Sequence, residues 1–179
     1  MNVPFERSYW VVPDKFLAGC YPGAKQAEQA RKKLIDLLDS GIRCIISLME
    51  DYETDWKGEE IHRYEAEVCE LAETKGFRIE CVTMTVPETS IPTRMGMKQI
   101  LDRIDRSIGE GRPVYVHCWG GKGRTGVVVG CYLVRHGMAV GKDALQMIAN
   151  LRKDDLASNE PSPENERQRW LVYSWLQGD

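Results

Sequence analysis

Val114 to Gly130 reads VYVHCWGGKGRTGVVVG. Val114 to His117 is a short β-rich run of the kind that makes a buried strand. Gly120, Gly121 and Gly123 then crowd a turn, and Gly123 to Arg135 carries a helical pattern closed by Gly137. A strand running through a glycine-rich loop into a helix aims backbone N–H groups at one spot. The helix dipole adds partial positive charge there. Glycine permits the tight, amide-inward curvature. Such a nest, Trp119 to Thr125, is shaped for a tetrahedral oxyanion, phosphate or sulfate.

Cys118 stands where the strand ends and Arg124 where the helix begins, with five residues between them. A loop of that length wraps once around a phosphate. The cysteine then lies beneath phosphorus, and the guanidinium grips two equatorial oxygens as a fork that lysine lacks. The same amides, dipole and guanidinium favour a thiolate, so Cys118 is expected to be a nucleophile. Thr125 can donate its hydroxyl to that sulfur and help it depart. His117 is expected to order the loop by hydrogen bonding rather than to act as a base. Trp119 is either a pocket wall or packing beneath the loop, and Lys122 either adds charge at the rim or is simply solvated.

Outward from this segment, strands and helices alternate. Tyr9 to Cys20 reads as a strand pair. Ala24 to Ser40 reads as a helix, Ile42 to Met49 as a buried strand, and Glu59 to Lys75 as a helix. Phe77 to Val86 reads as a strand and Met95 to Ile108 as a helix. Ala144 to Leu151 and Glu164 to Leu176 close the chain as helices. This order implies an α/β fold, a central, mostly parallel sheet of about four or five strands flanked by helices. Ligands in such folds bind at the carboxyl ends of the strands, so the loops after Met49, Val86 and His117 should share one face.

The 179 residues suit one domain spanning 1–179. Apolar residues at 42% and charged residues at 28% are ordinary globular values, and a net charge of −3 offers no global basic field for nucleic acid. No apolar run approaches ~18 residues, which argues against a membrane span. The six cysteines form no CxxC pair and the three histidines are scattered, against a zinc site. The expectation is a monomeric protein of a reducing, cytoplasmic compartment, without cofactor or metal.

HCWGGKGR, His117 to Arg124, followed by Thr125 and Gly126, resembles the HCxxxxxR signature of the protein tyrosine phosphatases. The chain looks like a small dual-specificity phosphatase of the compact kind common in prokaryotes. FLAGCYPG, from Phe16, and SPENERQ, Ser162 to Gln168, resemble corresponding segments of that family, so the likeness covers nearly the whole chain. It implies two-step, metal-free hydrolysis through a phosphocysteine, acting on phosphorylated protein. Two other readings of the loop fail. GKGRTG at Gly121 to Gly126 satisfies GxGxxG, but no strand ending in an acid follows about 20 residues on. A Walker A loop needs Ser or Thr where Gly123 follows Lys122.

The related phosphatases carry an acidic residue about thirty positions before the nucleophile. In Val86-Pro87-Glu88-Thr89-Ser90-Ile91-Pro92-Thr93 their aspartate position is held by Glu88. Glu88 is therefore the expected general acid and later base, against the alternative of a solvated turn residue. Asp51 and Asp55 are rivals, and Glu160 and Glu164 weaker ones. Gln168 resembles the glutamine that orients the hydrolytic water in some relatives; its alternative is an exposed helix residue. A lysine before Gly-Arg, as at Lys122, also appears in phosphoinositide phosphatases. A phosphoinositide or small phosphate ester is thus the second substrate reading, and a non-catalytic phosphate-binding module the third. If Cys118 oxidises to a sulfenic acid, Cys44 or Cys81 is a candidate resolving thiol, although both read as core strand residues.

Overall fold

The computed structural model describes residues 2–55 and 57–179. Five strands form one sheet in the order β1-β2-β5-β3-β4. They are β1 (Ser8–Val12), β2 (Phe16–Gly19), β3 (Cys44–Ser47), β4 (Glu80–Thr83) and β5 (Val114–His117). β1 and β2 are an antiparallel pair, and every other pairing is parallel. The helices are α1 (Ala27–Asp39), α2 (Glu65–Thr74), α3 (Arg94–Gly109), α4 (Arg124–Arg135), α5 (Gly141–Leu151) and α6 (Glu166–Tyr173). The expected α/β class and mostly parallel sheet are what forms.

Both faces of the sheet are covered. α1 and α2 pack Leu34, Leu37, Leu38, Val68 and Leu71 against Leu17, Ile45 and Tyr115. Each fully buried leucine contributes about 2 kcal/mol of transfer free energy. On the other face α3 to α6 cover Val114, Val116, Ile46 and Ala18. α4 is buried along nearly its whole length, which suits its Val127-Val128-Val129 run. Gly130 lets α6 close on it, since a Cβ there would lie 2.6 Å from the Val172 methyls.

Strand alternation decides where the site residues point. Val114, Val116 and Cys118 belong to the face under α4. Tyr115 belongs to the opposite face, and His117 follows it there, its ring 5.4 Å from that of Tyr64. β3, β4 and β5 run parallel, so their carboxyl ends share one edge, as expected.

Several expected elements are shorter than their patterns suggested, among them the strand read over Phe77 to Val86, which is only Glu80–Thr83. Glu59 to Tyr64 is not helical, and α2 starts at Glu65. The Asp55 carboxylate captures the N–H groups of Lys57 and Glu59, and Thr54 pairs with Glu60 in an isolated antiparallel bridge. Those bonds hold the backbone extended, and the apolar spacing of Ile61 and Tyr64 instead turns them inward beside the sheet. α6 starts at Glu166, because the Asn165 side chain caps it by accepting from the N–H of Gln168.

Candidate active site

Cys118 is 3% exposed at the end of β5. Four carbonyls of the segment Cys118 to Lys122 each find a different donor. Cys118 O accepts from His117 Nδ1 at 3.3 Å, and Trp119 O from the Tyr21 N–H at 3.0 Å. Gly120 O accepts from Arg7 Nη2 at 2.7 Å, and Lys122 O from Ser162 Oγ at 2.7 Å. In a planar trans peptide the N–H opposes the C=O. With those carbonyls engaged by their donors, the N–H groups of Trp119, Gly120, Gly121 and Gly123 point the opposite way. Gly121 has φ +71, and a Cβ there would lie 2.5 Å from the Cys20 nitrogen. Only glycine fits.

His117 is fully buried. A carbonyl only accepts, so Nδ1 carries the proton given to Cys118 O, and Nε2 accepts from Tyr64 Oη at 2.5 Å. Burial, aided by the nearby Arg124 charge, pushes the imidazole down to about 3. His117 is thus neutral and fixed between Tyr64 and the Cys118 carbonyl.

Arg124 is gripped from three directions. Its two terminal nitrogens meet the two carboxylate oxygens of Glu53, with Nη2 to Oε2 at 2.8 Å. Nη1 also reaches the carbonyls of Val86 at 3.0 Å and Leu48 at 3.3 Å. Burial alone would lower the guanidinium pKa. The Glu53 hydrogen bond and the charges of Cys118, Glu53 and Glu88 outweigh it and raise it. The ends of β3, β4 and β5 thus meet at one side chain. Nothing in the local sequence distinguishes Glu53 from its neighbours Asp51 and Asp55. Arg7 was also missed, since nothing local marks a contact 113 residues away.

The acidic candidates separate by what already holds them. Asp51 pairs with Arg63 at 3.1 Å on the outside. For Asp55, burial favours the neutral form, but the N–H groups of Glu59 and Lys57 outweigh it and hold the carboxyl below its usual range. Glu160 is bound by Lys122, which likewise lowers it. Glu164 accepts from Gln168 Nε2 at 3.4 Å and lies against Gly123. Glu88 is exposed and lines one cleft with Glu53 and Trp119.

Trp119 stands as a wall of that cleft, its ring 5.3 Å from Tyr21. Thr125 is buried, and its hydroxyl faces Gly19 O at 3.4 Å. Gln168 is no exposed helix residue; it is fully buried. Its Nε2 donates to Ser90 O at 3.1 Å, and Asn165 Nδ2 donates to Thr89 O at 2.8 Å. Thr89 has φ +57, so these two amides hold the segment after Glu88 in a backbone shape that threonine disfavours. Cys44 and Cys81 are not placed to resolve Cys118. They pair opposite Val114 and Ile45 at the lower part of the sheet, and Cys44 is four residues, roughly 13 Å, short of the nucleophile along the strand direction. In the ladder the neighbouring thiol is Cys20, which follows Gly19, the partner of His117.

A family model described as Tc-R-P, a DSP-PTPase phosphatase of polymorphic toxin systems, matches residues 20–138. The triple specificity protein phosphatase PtpB of Mycobacterium tuberculosis is 40% identical over 81 residues, 45% of this chain and 26% of that one. The dual specificity protein phosphatase CDC14B of Mus musculus is 24% identical over 177 residues, 95% of this chain and 32% of that one. The chain therefore spans about a quarter to a third of the length of these curated relatives. Among solved structures, Tk-PTP in its active form superposes with a TM-score of 0.69 at 20% identity, covering 93% of each chain. At that identity the likeness concerns the fold.

Proposed function

The chain belongs to the Tc-R-P family of DSP-PTPase phosphatases, and from that premise we propose that it is a protein phosphatase working through a phosphocysteine at Cys118. The observation that carries this reading is the loop in which four carbonyls are tied to separate donors beside a buried cysteine, with a clamped guanidinium at its end. The proposed substrate is phosphotyrosine in protein, with phosphoserine and phosphothreonine admitted.

In the first step Cys118 Sγ attacks phosphorus. The bond from phosphorus to the leaving oxygen breaks, and Glu88 gives that oxygen its proton. Arg124 and the loop N–H groups hold the three equatorial oxygens as their charge redistributes. In the second step water attacks phosphorus, the Glu88 carboxylate takes a water proton, and the P–S bond breaks to return the thiolate and inorganic phosphate. Thr125 supports the departing sulfur when its hydroxyl swings from Gly19 O. Gln168 acts in this scheme by holding the Glu88 segment through Ser90, since its amide is committed there. The guanidinium and amides supply the charge that a metal supplies in other phosphatases, so the scheme needs no metal. We place residues 1–179 as one catalytic unit, monomeric and in the reducing cytoplasm. The six free thiols suit that compartment, and among the described residues no helix is long and apolar enough to cross a membrane.

The test is hydrolysis of p-nitrophenyl phosphate in the presence of a metal chelator by wild type and Cys118→Ser. Activity confined to the wild type supports the reading. A folded, reduced wild type without activity would leave a phosphate-binding module.

A further inference from the structure

The phosphate loop opens on a cleft of about 380 Å³ walled by Trp119 and Tyr52 together with Glu50, Glu53, Asp55 and Glu88. At Trp119 and Asp55 this cleft meets a second hollow of about 410 Å³, which runs past Tyr21 and Ile61 to Glu59 and Glu60. Trp119 directly follows the nucleophile, so the two hollows make one path that starts at the phosphate loop and leads away from it.

The lining of this path is aromatic and acidic. Six carboxylates line it, of which Glu53 is already paired with Arg124, against a single lysine in the lining among the described residues. That lysine, Lys25, sits between Asp55 at 3.5 Å and Glu59 at 3.8 Å. The phosphate loop's own Lys122 is engaged by Glu160. The carboxylates by themselves would define no site. On the phosphatase reading the loop takes the phosphate of its ligand, and the hollow beside it determines where the rest of that ligand lies.

We propose that the protein selects phosphorylated peptides with arginine or lysine close to the phosphorylated residue, the basic side chain lying along Trp119 toward Glu59 and Glu60. This rests on the phosphatase reading of the same loop. A guanidinium stacks on an indole face and pairs with carboxylates. A phosphorylated inositol ring or an acidic peptide brings further negative charge into the same field and is disfavoured. The path thus separates two substrate classes that the loop alone would accept equally.

Three probes test this: a phosphotyrosine peptide with arginines flanking the phosphorylated residue, the same peptide with glutamates instead, and phosphatidylcholine vesicles carrying a phosphatidylinositol monophosphate. Turnover is read in wild type and binding in Cys118→Ser, so the preference is visible even if chemistry fails. Inactivity of wild type on p-nitrophenyl phosphate would sink the phosphatase reading alone. The basic peptide should be favoured about tenfold over the acidic one, the effect of two surface-exposed charge pairs, and the preference should shrink with salt. Glu59→Gln with Glu60→Gln should remove most of it while leaving p-nitrophenyl phosphate turnover unchanged. Equal use of the two peptides, a preference for the vesicles, or a preference indifferent to the double variant would each overturn the proposal.

Discussion

The loop from Cys118 to Thr125 and the segments facing it across the cleft, Glu50 to Asp55 and Val86 to Ile91, are held by different partners. In the first, the donors that engage its carbonyls come from four places in the chain, Arg7, Tyr21, His117 and Ser162. Its backbone is over-determined. The facing segments are held largely from the starts of α4 and α6. Glu53 reaches Arg124 and also accepts from the Glu50 N–H at 2.7 Å, while Asn165 and Gln168 hold Thr89 and Ser90. A phosphate nest must be rigid before the anion arrives, because its charge stabilisation depends on dipoles already aimed. The rim that meets the variable part of a substrate has no such requirement. Substitutions in the loop should therefore cost chemistry, and substitutions across the cleft should change stability, leaving-group dependence and selectivity.

The largest expected effect breaks the loop side. Arg124→Lys keeps the charge but loses the fork, and kcat/KM on p-nitrophenyl phosphate should fall by roughly 10³-fold. A loss under tenfold would mean that the guanidinium geometry is unimportant. Next, Glu53→Ala leaves Arg124 buried without its carboxylate. Urea unfolding should show a loss of about 3 kcal/mol, a stability cost that Arg124→Lys should not match. Glu88→Gln should lower turnover of phosphotyrosine by about 10²-fold and that of p-nitrophenyl phosphate far less, because the second leaving group departs without a proton. Equal losses would remove Glu88 from the acid role.

His117 sharpens the comparison through pH. Its folded-state pKa is depressed, to about 3 from 6.5. The unfolded chain therefore binds a proton in that window and the folded one does not. Stability is fully present above pH 6.5 and is lost as pH falls from there toward 3, at about 1.4 kcal/mol per pH unit for this group. Urea titrations of wild type should fall more steeply through that window than those of His117→Asn. The smallest effect is expected at Arg7. Arg7→Gln removes the charged donor on Gly120 O, and the inhibition constant for inorganic phosphate should rise several-fold, the value of about 1 kcal/mol for one such bond, with Arg7→Lys restoring part of it.

The two sides also differ in how much of them could be read before folding. His117, Cys118, the three glycines, Arg124 and Thr125 lie within nine consecutive residues. Local geometry dictates their chemistry, so this turn was legible. The strand and helix order was legible for the same reason, from period and glycine punctuation. Helix α2 was over-extended because its apolar spacing continues into residues that Asp55 and the Thr54–Glu60 bridge hold extended. Asp51 and Asp55 are chemically as plausible as Glu53 beside Arg124. Only the strand ends decide which carboxylate faces the guanidinium.

By itself, then, the sequence determined the α/β architecture and the strand–loop–helix turn that runs from Cys118 to Arg124. Those depend on residues close in the chain, where backbone conformation and side-chain spacing are one problem. The tertiary structure alone decided that Glu53 clamps Arg124, that Arg7 and Ser162 hold the loop carbonyls, and that Gln168 is buried against the Glu88 segment. It also decided that the mouth of the site is acidic. Each of those joins residues separated by 40 to 113 positions, and such contacts exist only after the sheet has brought its strand ends to one edge.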